Sequence, residues 1–398
     1  MVNIEGDNMK IFKKFLATIL LVLLTITWNI YSVKAMTDEN IDDDYDTIDI
    51  IEEESINISL EEVNINAPLK VSARNAIAID SKNNMVLWNQ NGYEIVPMAS
   101  TTKILTALIA INYGNLERKV TISKNASSIR GSTVGYRAGE EISMRELLFG
   151  LMFRSGNDAA IAIAEDIGGS IDGFSNIMND YAKSLGILNS HFESPHGLDS
   201  TKHYSSAYDL AILTSKAMEY DEFKELVGEK VMYKDKYNFT KDYQNINKIL
   251  YKIPGANGVK TGYTGGAGKC LVSSVNHNGR NIIIVVLNCV DRWNVTEKIF
   301  NYVIKDNEFI NRNNKELLNN EKIAGLGDLI NEEDITYGYK ESDRLEIEVF
   351  NPSLNIEVGD ILGKILIKDK ENEKGKFPLT SKIKISKEEF EKVITGEK

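Results

Sequence analysis

The segment PMASTTKILTAL, from Pro97 to Leu108, marks a change from extended to helical sequence. Before it, two apolar runs flank the polar turn Ser81 to Asn84, a pattern that predicts a β-hairpin. After Pro97, apolar residues recur at helical spacing until Gly114. These residues are Ile104, Leu105, Leu108, Ile109 and Ile111. The segment therefore predicts a helix that follows a pair of strands.

Outward from this segment, the sequence predicts a block of helices and then a second hairpin. The strands of that hairpin, Cys270 to Val275 and Ile282 to Asn288, are joined by Asn278-Gly279, a strong turn signal. The predicted helices are Met144 to Phe153, Asp158 to Ile167, Phe174 to Leu185, Ala207 to Met218 with Ser205 or Ser206 as N-cap, and Thr296 to Ile304. Strands, helices, strands and a final helix indicate an α+β fold with an antiparallel sheet and segregated helices.

The N-terminal part of the chain is interpreted as an export segment and a linker. Three lysines precede the uncharged run Phe15 to Val33, and Val33-Lys34-Ala35 fits a cleavage site, so residues 1–35 are predicted to be a signal peptide. An uncleaved membrane anchor stays open as the alternative. The net charge of −12 is concentrated in residues 36–66, where Asp38 to Glu62 holds twelve acidic residues and no Lys or Arg. The protein is expected to be extracytoplasmic, either secreted or associated with the cell envelope.

The remaining chain is divided into two predicted domains. Residues 67–305 contain the strands and helices described above, whereas residues 306–398 are rich in Asn, Glu and Lys and contain short alternating strands such as Arg344 to Phe350. We expect the second part to be a small all-β domain with its own core.

Composition argues against several classes of protein. No basic stripe or aromatic-basic interleaving is present, so nucleic acid is not an expected partner. The two cysteines and four histidines lack metal-site spacing, so no metal and no cofactor is expected. Cys270 and Cys289 lie near opposite ends of the predicted hairpin, which allows a disulfide, although two buried free thiols are the favoured interpretation.

Three short motifs carry groups suited to covalent catalysis: Ser100-Thr-Thr-Lys103, Ser155-Gly-Asn157 and Lys260-Thr-Gly262. A serine hydroxyl needs a base, and a lysine one helical turn away and partly desolvated can serve as one. Each motif also has a structural explanation: a helix-capping serine with a solvated lysine, common loop residues, or an edge strand protected by a lysine. Their order and placement favour the catalytic interpretation.

The three motifs resemble those of the serine penicillin-recognising enzymes. The resemblance extends to PMASTTKILTAL from Pro97, LLFGLMFRSGNDAA from Leu147, SPHGL from Ser194, HYSSAYDLA from His203 and GVKTGYT from Gly258. These segments are similar to low-molecular-mass D-alanyl-D-alanine carboxypeptidases over roughly Ala67 to Lys305.

This resemblance implies a β-lactamase/transpeptidase-like catalytic domain followed by a small β domain. It implies that Ser100 is the nucleophile, that Lys103 is its base and that Ser155 relays a proton. It implies that the substrate is bound by Asn157, Lys260, Thr261, Gly262, Tyr263 and, by position only, Arg292. The implied partners are peptidoglycan stem peptides ending in D-Ala-D-Ala, with β-lactams as covalent inhibitors; membrane association through an uncleaved N-terminal segment stays open.

Three rival functions stay open at this stage: a β-lactamase, an endopeptidase that cuts D-alanyl cross-links, and a silent wall-binding protein. Class A β-lactamases carry a deacylating glutamate as E-x-x-N, whereas the nearby acid here, Glu193, is followed by Ser-Pro-His. The intact Ser100, Lys103 and Lys260 argue against a silent protein. Ser386 to Lys398 has too few apolar residues to favour a C-terminal membrane anchor.

Overall fold

The computed structural model describes residues 69–306, 308–319, 324–340, 342–350, 352, 354–369 and 372–395. The predicted signal peptide and acidic linker lie outside the described residues, so both stay predictions.

A five-stranded antiparallel sheet forms the centre of the protein, with strand order β2-β1-β9-β8-β7. In chain order the strands are β1 (Asn75–Asp80), β2 (Met85–Gln90), β3 (Lys119–Thr121), β4 (Glu141–Ser143), β5 (Val231–Met232), β6 (Tyr243–Gln244), β7 (Ala256–Thr264), β8 (Gly268–His277), β9 (Arg280–Leu287), β10 (Glu308–Asn313), β11 (Asp334–Tyr339), β12 (Asp343–Val349), β13 (Ile361–Asp369) and β14 (Asn372–Thr380). Both predicted hairpins are confirmed. At the second, Asn278 and Gly279 have φ values of 52° and 79°, because the tight turn needs left-handed residues.

The helical block between β2 and β7 is also confirmed. In chain order the helices are α1 (Lys103–Tyr113), α2 (Lys124–Ser128), α3 (Met144–Phe153), α4 (Asn157–Gly168), α5 (Ile171–Ser184), α6 (Ala207–Ala217), α7 (Asp221–Gly228), α8 (Lys234–Tyr237), α9 (Ile249–Lys252), α10 (Arg292–Asp306), α11 (Asn314–Asn319) and α12 (Lys387–Thr395). Ser206, and not Ser205, caps α6 by accepting a hydrogen bond from the Asp209 N–H. Helix α10 begins one turn before the predicted Thr296, so that it includes Arg292.

The sheet separates two apolar cores because successive strand residues face opposite sides. Ile77 and Ile79 of β1 face the helical block, where they join buried residues of α1, α3 and α4. Ala76 and Ala78 face the other side, where they join Val295, Ile299 and Val303 of α10. The first two motifs lie at the starts of helices in the helical block and the third lies on β7, so the sheet is the base on which the site is built.

The C-terminal region contains the predicted small sheets, β10-β11 and β12-β13-β14, together with the short helices α11 and α12. The expectation that this region has its own core is wrong. Met85 of β2 belongs to the same buried cluster as Ile365 and Leu379, and a Cβ at Gly375 would lie 2.9 Å from Met85 Cγ. The C-terminal strands therefore cover the outer face of the central sheet.

Helix α12 directs its apolar residues inward. Phe390 is fully buried, and a Cβ at Gly325 would lie 3.0 Å from Val393 Cγ1, so this helix packs on the region it follows. Among the helices that the structure describes, none has the length and apolarity needed to cross a membrane.

Cys270 and Cys289 are buried free thiols that belong to different apolar clusters. The favoured interpretation, two buried free thiols and no disulfide, is thereby confirmed. Burial raises the pKa of each thiol to about 11, so both are protonated at neutral pH.

Because the outer core is shared, removing residues 315–398 should destabilise the catalytic part. We expect Tm to fall by more than about 10 °C, because the outer face of the sheet would lose several buried side chains at once. Thermal unfolding followed by circular dichroism would measure this. A truncate that keeps its Tm would restore the separate-core interpretation, and a chain ending at Ser386, which loses mainly Phe390, is the milder control.

Candidate active site

Ser100 lies in a 3-10 turn, Ala99–Thr102, that runs directly into α1. It occupies the interior of the turn, and the N-cap position belongs to Met98, so the capping explanation for this serine is wrong. Lys103, the first residue of α1, donates a hydrogen bond from Nζ to Ser100 Oγ at 2.8 Å. The predicted nucleophile and base are therefore in direct contact.

The Lys103 ammonium is buried and bridges three parts of the chain. Besides Ser100, Nζ donates to Asn157 Oδ1 and to the carbonyl oxygen of His196, each at 2.8 Å. A buried cation needs such acceptors because it has lost its hydration. The first and second motifs are thus joined through one side chain.

The second motif lies in the turn between α3 and α4, as predicted. Ser155 is buried and has a left-handed backbone, with φ of 56°. A Cβ at Gly156 would lie 2.7 Å from Val134 Cγ2, so the close packing here requires glycine. Asn157 begins α4 and directs its amide oxygen toward Lys103.

The third motif lies on β7, the last strand of the central sheet. Lys260 is buried and donates from Nζ to the Thr261 carbonyl at 2.8 Å. A Cβ at Gly262 would lie 3.0 Å from the Ser100 nitrogen, so glycine lets the strand approach the nucleophile turn. Tyr263, the next residue of β7, is 40% exposed to solvent. An extended peptide could pair with this strand edge.

Arg292 is buried behind the third motif. Its Nη1 donates to the carbonyl oxygens of Gly262 at 3.1 Å and Cys270 at 3.4 Å, and the guanidinium lies over the Trp293 ring. Through these contacts Arg292 holds β7 and β8 together. Its contact with a substrate stays a prediction.

The segment Glu193–His203, which we call the strap, carries the SPHGL resemblance, but none of its residues was predicted from the sequence to act in the site. The strap passes behind the nucleophile turn: Thr106 Oγ1 donates to the Pro195 carbonyl at 2.7 Å, next to the His196 carbonyl that binds Lys103. At Gly197, with φ of 89°, a Cβ would lie 2.0 Å from the Ala99 oxygen. The SPHGL segment within the strap was the signal available in the sequence. Without these contacts, however, it does not indicate that the strap takes part in the active site.

Two buried histidines of the strap are neutral at physiological pH. Burial, followed by the charge of Lys103, lowers the pKa of His196 to about 3. Burial also lowers the pKa of His203 to about 4, against the opposing influence of Glu193. Within the described residues, no group of three His, Cys, Asp or Glu side chains could hold a metal ion.

The free energy of unfolding should therefore rise with pH between the native pKa values of about 3 and 4 and the ordinary value of 6.5. In this window the unfolded chain binds protons that the native protein excludes, so acid favours unfolding, by about 1 kcal/mol per pH unit for each histidine. Urea unfolding of wild type and His203→Gln from pH 4.5 to 7 would measure this. Equal slopes for the two proteins would contradict the assignment for His203.

An antiparallel sheet beneath a helical block, with a contacting serine and lysine beside the edge strand, defines the β-lactamase/transpeptidase-like class of serine enzymes. The family model for D-alanyl-D-alanine carboxypeptidases, peptidase S11, matches residues 61–291. The chain belongs to this family.

Relatives and solved structures agree with the assignment. D-alanyl-D-alanine carboxypeptidase DacF of Bacillus subtilis is 39% identical over 223 residues, which cover 54% of this chain and 57% of DacF. DacC of Escherichia coli is 35% identical over 258 residues, which cover 61% and 63%. The chain therefore matches less than two thirds of the length of either relative.

The crystal structure of D-alanyl-D-alanine carboxypeptidase DacD from Francisella tularensis covers 80% of this chain and 95% of its own, with 26% identity and a TM-score of 0.60. Penicillin binding protein 5 from Haemophilus influenzae, at 24% identity and a TM-score of 0.66, shares the fold over 80% of this chain and 99% of its own.

Proposed function

We propose that this protein is a serine D-Ala-D-Ala carboxypeptidase that removes the terminal D-alanine from peptidoglycan stem peptides and is inhibited by β-lactams. The observation that carries the proposal is the 2.8 Å contact between Lys103 Nζ and Ser100 Oγ, beside the edge strand that bears Lys260-Thr261-Gly262. The enzyme would act outside the cytoplasm, where its substrate is found.

The three hydrogen bonds that Lys103 donates describe its ammonium form, so acylation first requires the loss of one proton from Nζ. The neutral amine then accepts the Ser100 proton while Oγ attacks the carbonyl carbon between the two D-alanines. The N–H groups of Ser100 and Tyr263 stabilise the resulting oxyanion. As the C–N bond breaks, Ser155 relays a proton to the amine of the departing D-alanine, which leaves an ester on Ser100. Water then hydrolyses this ester and regenerates the Ser100 hydroxyl.

Substrate binding would use the groups around this pair. The stem peptide lies along the edge of β7, Asn157 binds its amide, and Lys260 with Thr261 binds near the terminal carboxylate. Arg292 would act on the same carboxylate through its positive charge and through the β7 backbone that it holds.

Glu193 is the acid that a β-lactamase would need to aim at the acyl-enzyme. In this structure its carboxylate accepts a hydrogen bond from the Ser200 hydroxyl, and its backbone N–H donates to His203 Nδ1. Glu193 is thus engaged within the strap, which favours a long-lived penicilloyl ester over its rapid hydrolysis.

A fluorescent penicillin should label the wild-type protein, and mass mapping should place the label on Ser100. Ser100→Ala should abolish labelling with a cost of about 1 kcal/mol in stability, since it removes one partly exposed hydrogen bond. Near-UV circular dichroism provides the folding control. Labelling that survives this change would remove Ser100 from its proposed role.

The wild-type enzyme should release one D-alanine from diacetyl-lysyl-D-Ala-D-Ala, whereas its penicilloyl complex should persist for minutes. Amidation of the terminal carboxylate should lower kcat/KM by at least tenfold, because a charge-assisted hydrogen bond contributes about 1.5 to 3 kcal/mol. D-alanine release and penicillin hydrolysis would both be followed. Rapid repeated hydrolysis of penicillin would identify a β-lactamase, and equal turnover of the amide would exclude carboxylate recognition.

A further inference from the structure

A continuous chain of hydrogen bonds runs from the strap to the residue before the nucleophile. The Glu193 N–H donates to His203 Nδ1 at 3.0 Å, and His203 Nε2 lies 2.8 Å from Thr102 Oγ1. The Thr102 hydroxyl donates in turn to the Ala99 carbonyl at 2.9 Å. Because Nδ1 accepts, the neutral ring carries its proton on Nε2, and every donor and acceptor in the chain is matched.

The chain ends on the peptide group that joins Ala99 to Ser100. A trans peptide is planar, so the direction of the Ala99 carbonyl fixes the opposite direction of the Ser100 N–H. That N–H is one of the two proposed oxyanion donors. The orientation of a catalytic donor is therefore tied to His203, which has no direct contact with Ser100.

Two observations show that this peptide needs external support. Ala99 has a left-handed φ of 50°, which a residue with a Cβ adopts at a cost. Ala99, Thr102 and His203 are 1%, 0% and 3% exposed, so water has no ready access to replace a missing link. Gly197 packs against the same carbonyl, where a Cβ would also lie 2.7 Å from Thr102 Oγ1.

We propose that His203 is a positioning residue that, through Thr102, orients the Ala99–Ser100 peptide so that the Ser100 N–H faces the developing oxyanion. This inference rests on the proposed acyl-enzyme mechanism and adds a residue that acts from behind the nucleophile. The hydrogen-bond chain requires a neutral ring, since an imidazolium would direct a second N–H at the Glu193 N–H.

The charged and titratable groups around His203 are Lys103 from α1 and His191, Glu193, His196 and Asp199 from the strap and its approach. The positive and negative groups act in opposite directions on the ring, and burial makes the largest contribution to its neutral state. The hydrogen-bond chain consequently stays intact at neutral pH.

The first test compares two substitutions at Thr102. Thr102→Val keeps the shape but removes the central link, whereas Thr102→Ser keeps the hydroxyl. We expect Thr102→Val to lower the first-order rate constant of acylation by a fluorescent penicillin about 10- to 100-fold, with little change in the dissociation constant of the initial complex, because the donor acts mainly in the transition state. Thr102→Ser should recover most of the rate.

Thr106→Val is the matched control. It removes a buried threonine hydroxyl from α1, one turn beyond Thr102 and bonded to the same strap, but its acceptor is the Pro195 carbonyl and not that of Ala99. Its acylation rate should stay within about twofold of wild type while its Tm falls as for Thr102→Val. An equal loss of acylation rate in both variants would show that the loss comes from disturbed packing of the strap, and it would overturn the proposal.

A double-mutant cycle supplies the second test. His203→Ala should slow acylation about as much as Thr102→Val, the double variant should be no slower than either, and His203→Gln, which can still donate toward Thr102, should recover part of the rate. Additive losses would overturn the inference, as would a normal rate in Thr102→Val. A wild-type protein that penicillin does not label at Ser100 would instead refute the proposed function, so the two failures are distinguishable.

Discussion

The Lys103 ammonium is the point on which the arrangement of the site depends. It is fully buried, and its hydrogen bonds bring together the Ser100 hydroxyl, the Asn157 amide oxygen and the His196 carbonyl, each at 2.8 Å. Charge is costly to remove from water unless acceptors replace the lost hydration. Helix α1, the start of α4 and the strap must consequently keep fixed positions around one atom, and this requirement also places the proposed base against its nucleophile.

Close backbone approach is the second constraint on the site. Gly262 lets the edge strand approach the Ser100 nitrogen, and Gly197 lets the strap approach the Ala99 carbonyl from another direction. A side chain at either position would separate elements that have to touch. The nucleophile turn is therefore held between a strand that can bind a peptide and a strap that fixes its backbone, which is why its left-handed Ala99 can persist.

The central sheet links this site to the rest of the molecule. Its inner face supports the helices that carry Lys103 and Asn157, and its outer face is covered by α10 and by strands of the C-terminal region. Arg292 connects the outer layer to the active site, because it begins α10 and donates a hydrogen bond to the backbone of the third motif. The C-terminal strands thus form small sheets of their own and also support the central sheet that carries the catalytic residues.

The sequence by itself determined the features that depend on near neighbours. The Asn278-Gly279 turn, the helix from Met144 to Phe153 and the contact of Ser100 with Lys103 one turn away all follow from residue type and local spacing. The order of the three motifs and their resemblance to a known family also predicted the fold class and the candidate catalytic groups.

Only the tertiary structure decided the features that depend on distant residues. The contact between Lys103 and His196 spans 93 positions, and that between Thr102 and His203 spans 101, so no local pattern could indicate them. The folded chain decides that Cys270 and Cys289 join different apolar clusters, and the shared outer core follows from how the C-terminal strands pack on the central sheet. Periodicity shows that a residue will be buried, but the packing partner and the tautomer of a buried histidine are set by the groups that folding brings beside it.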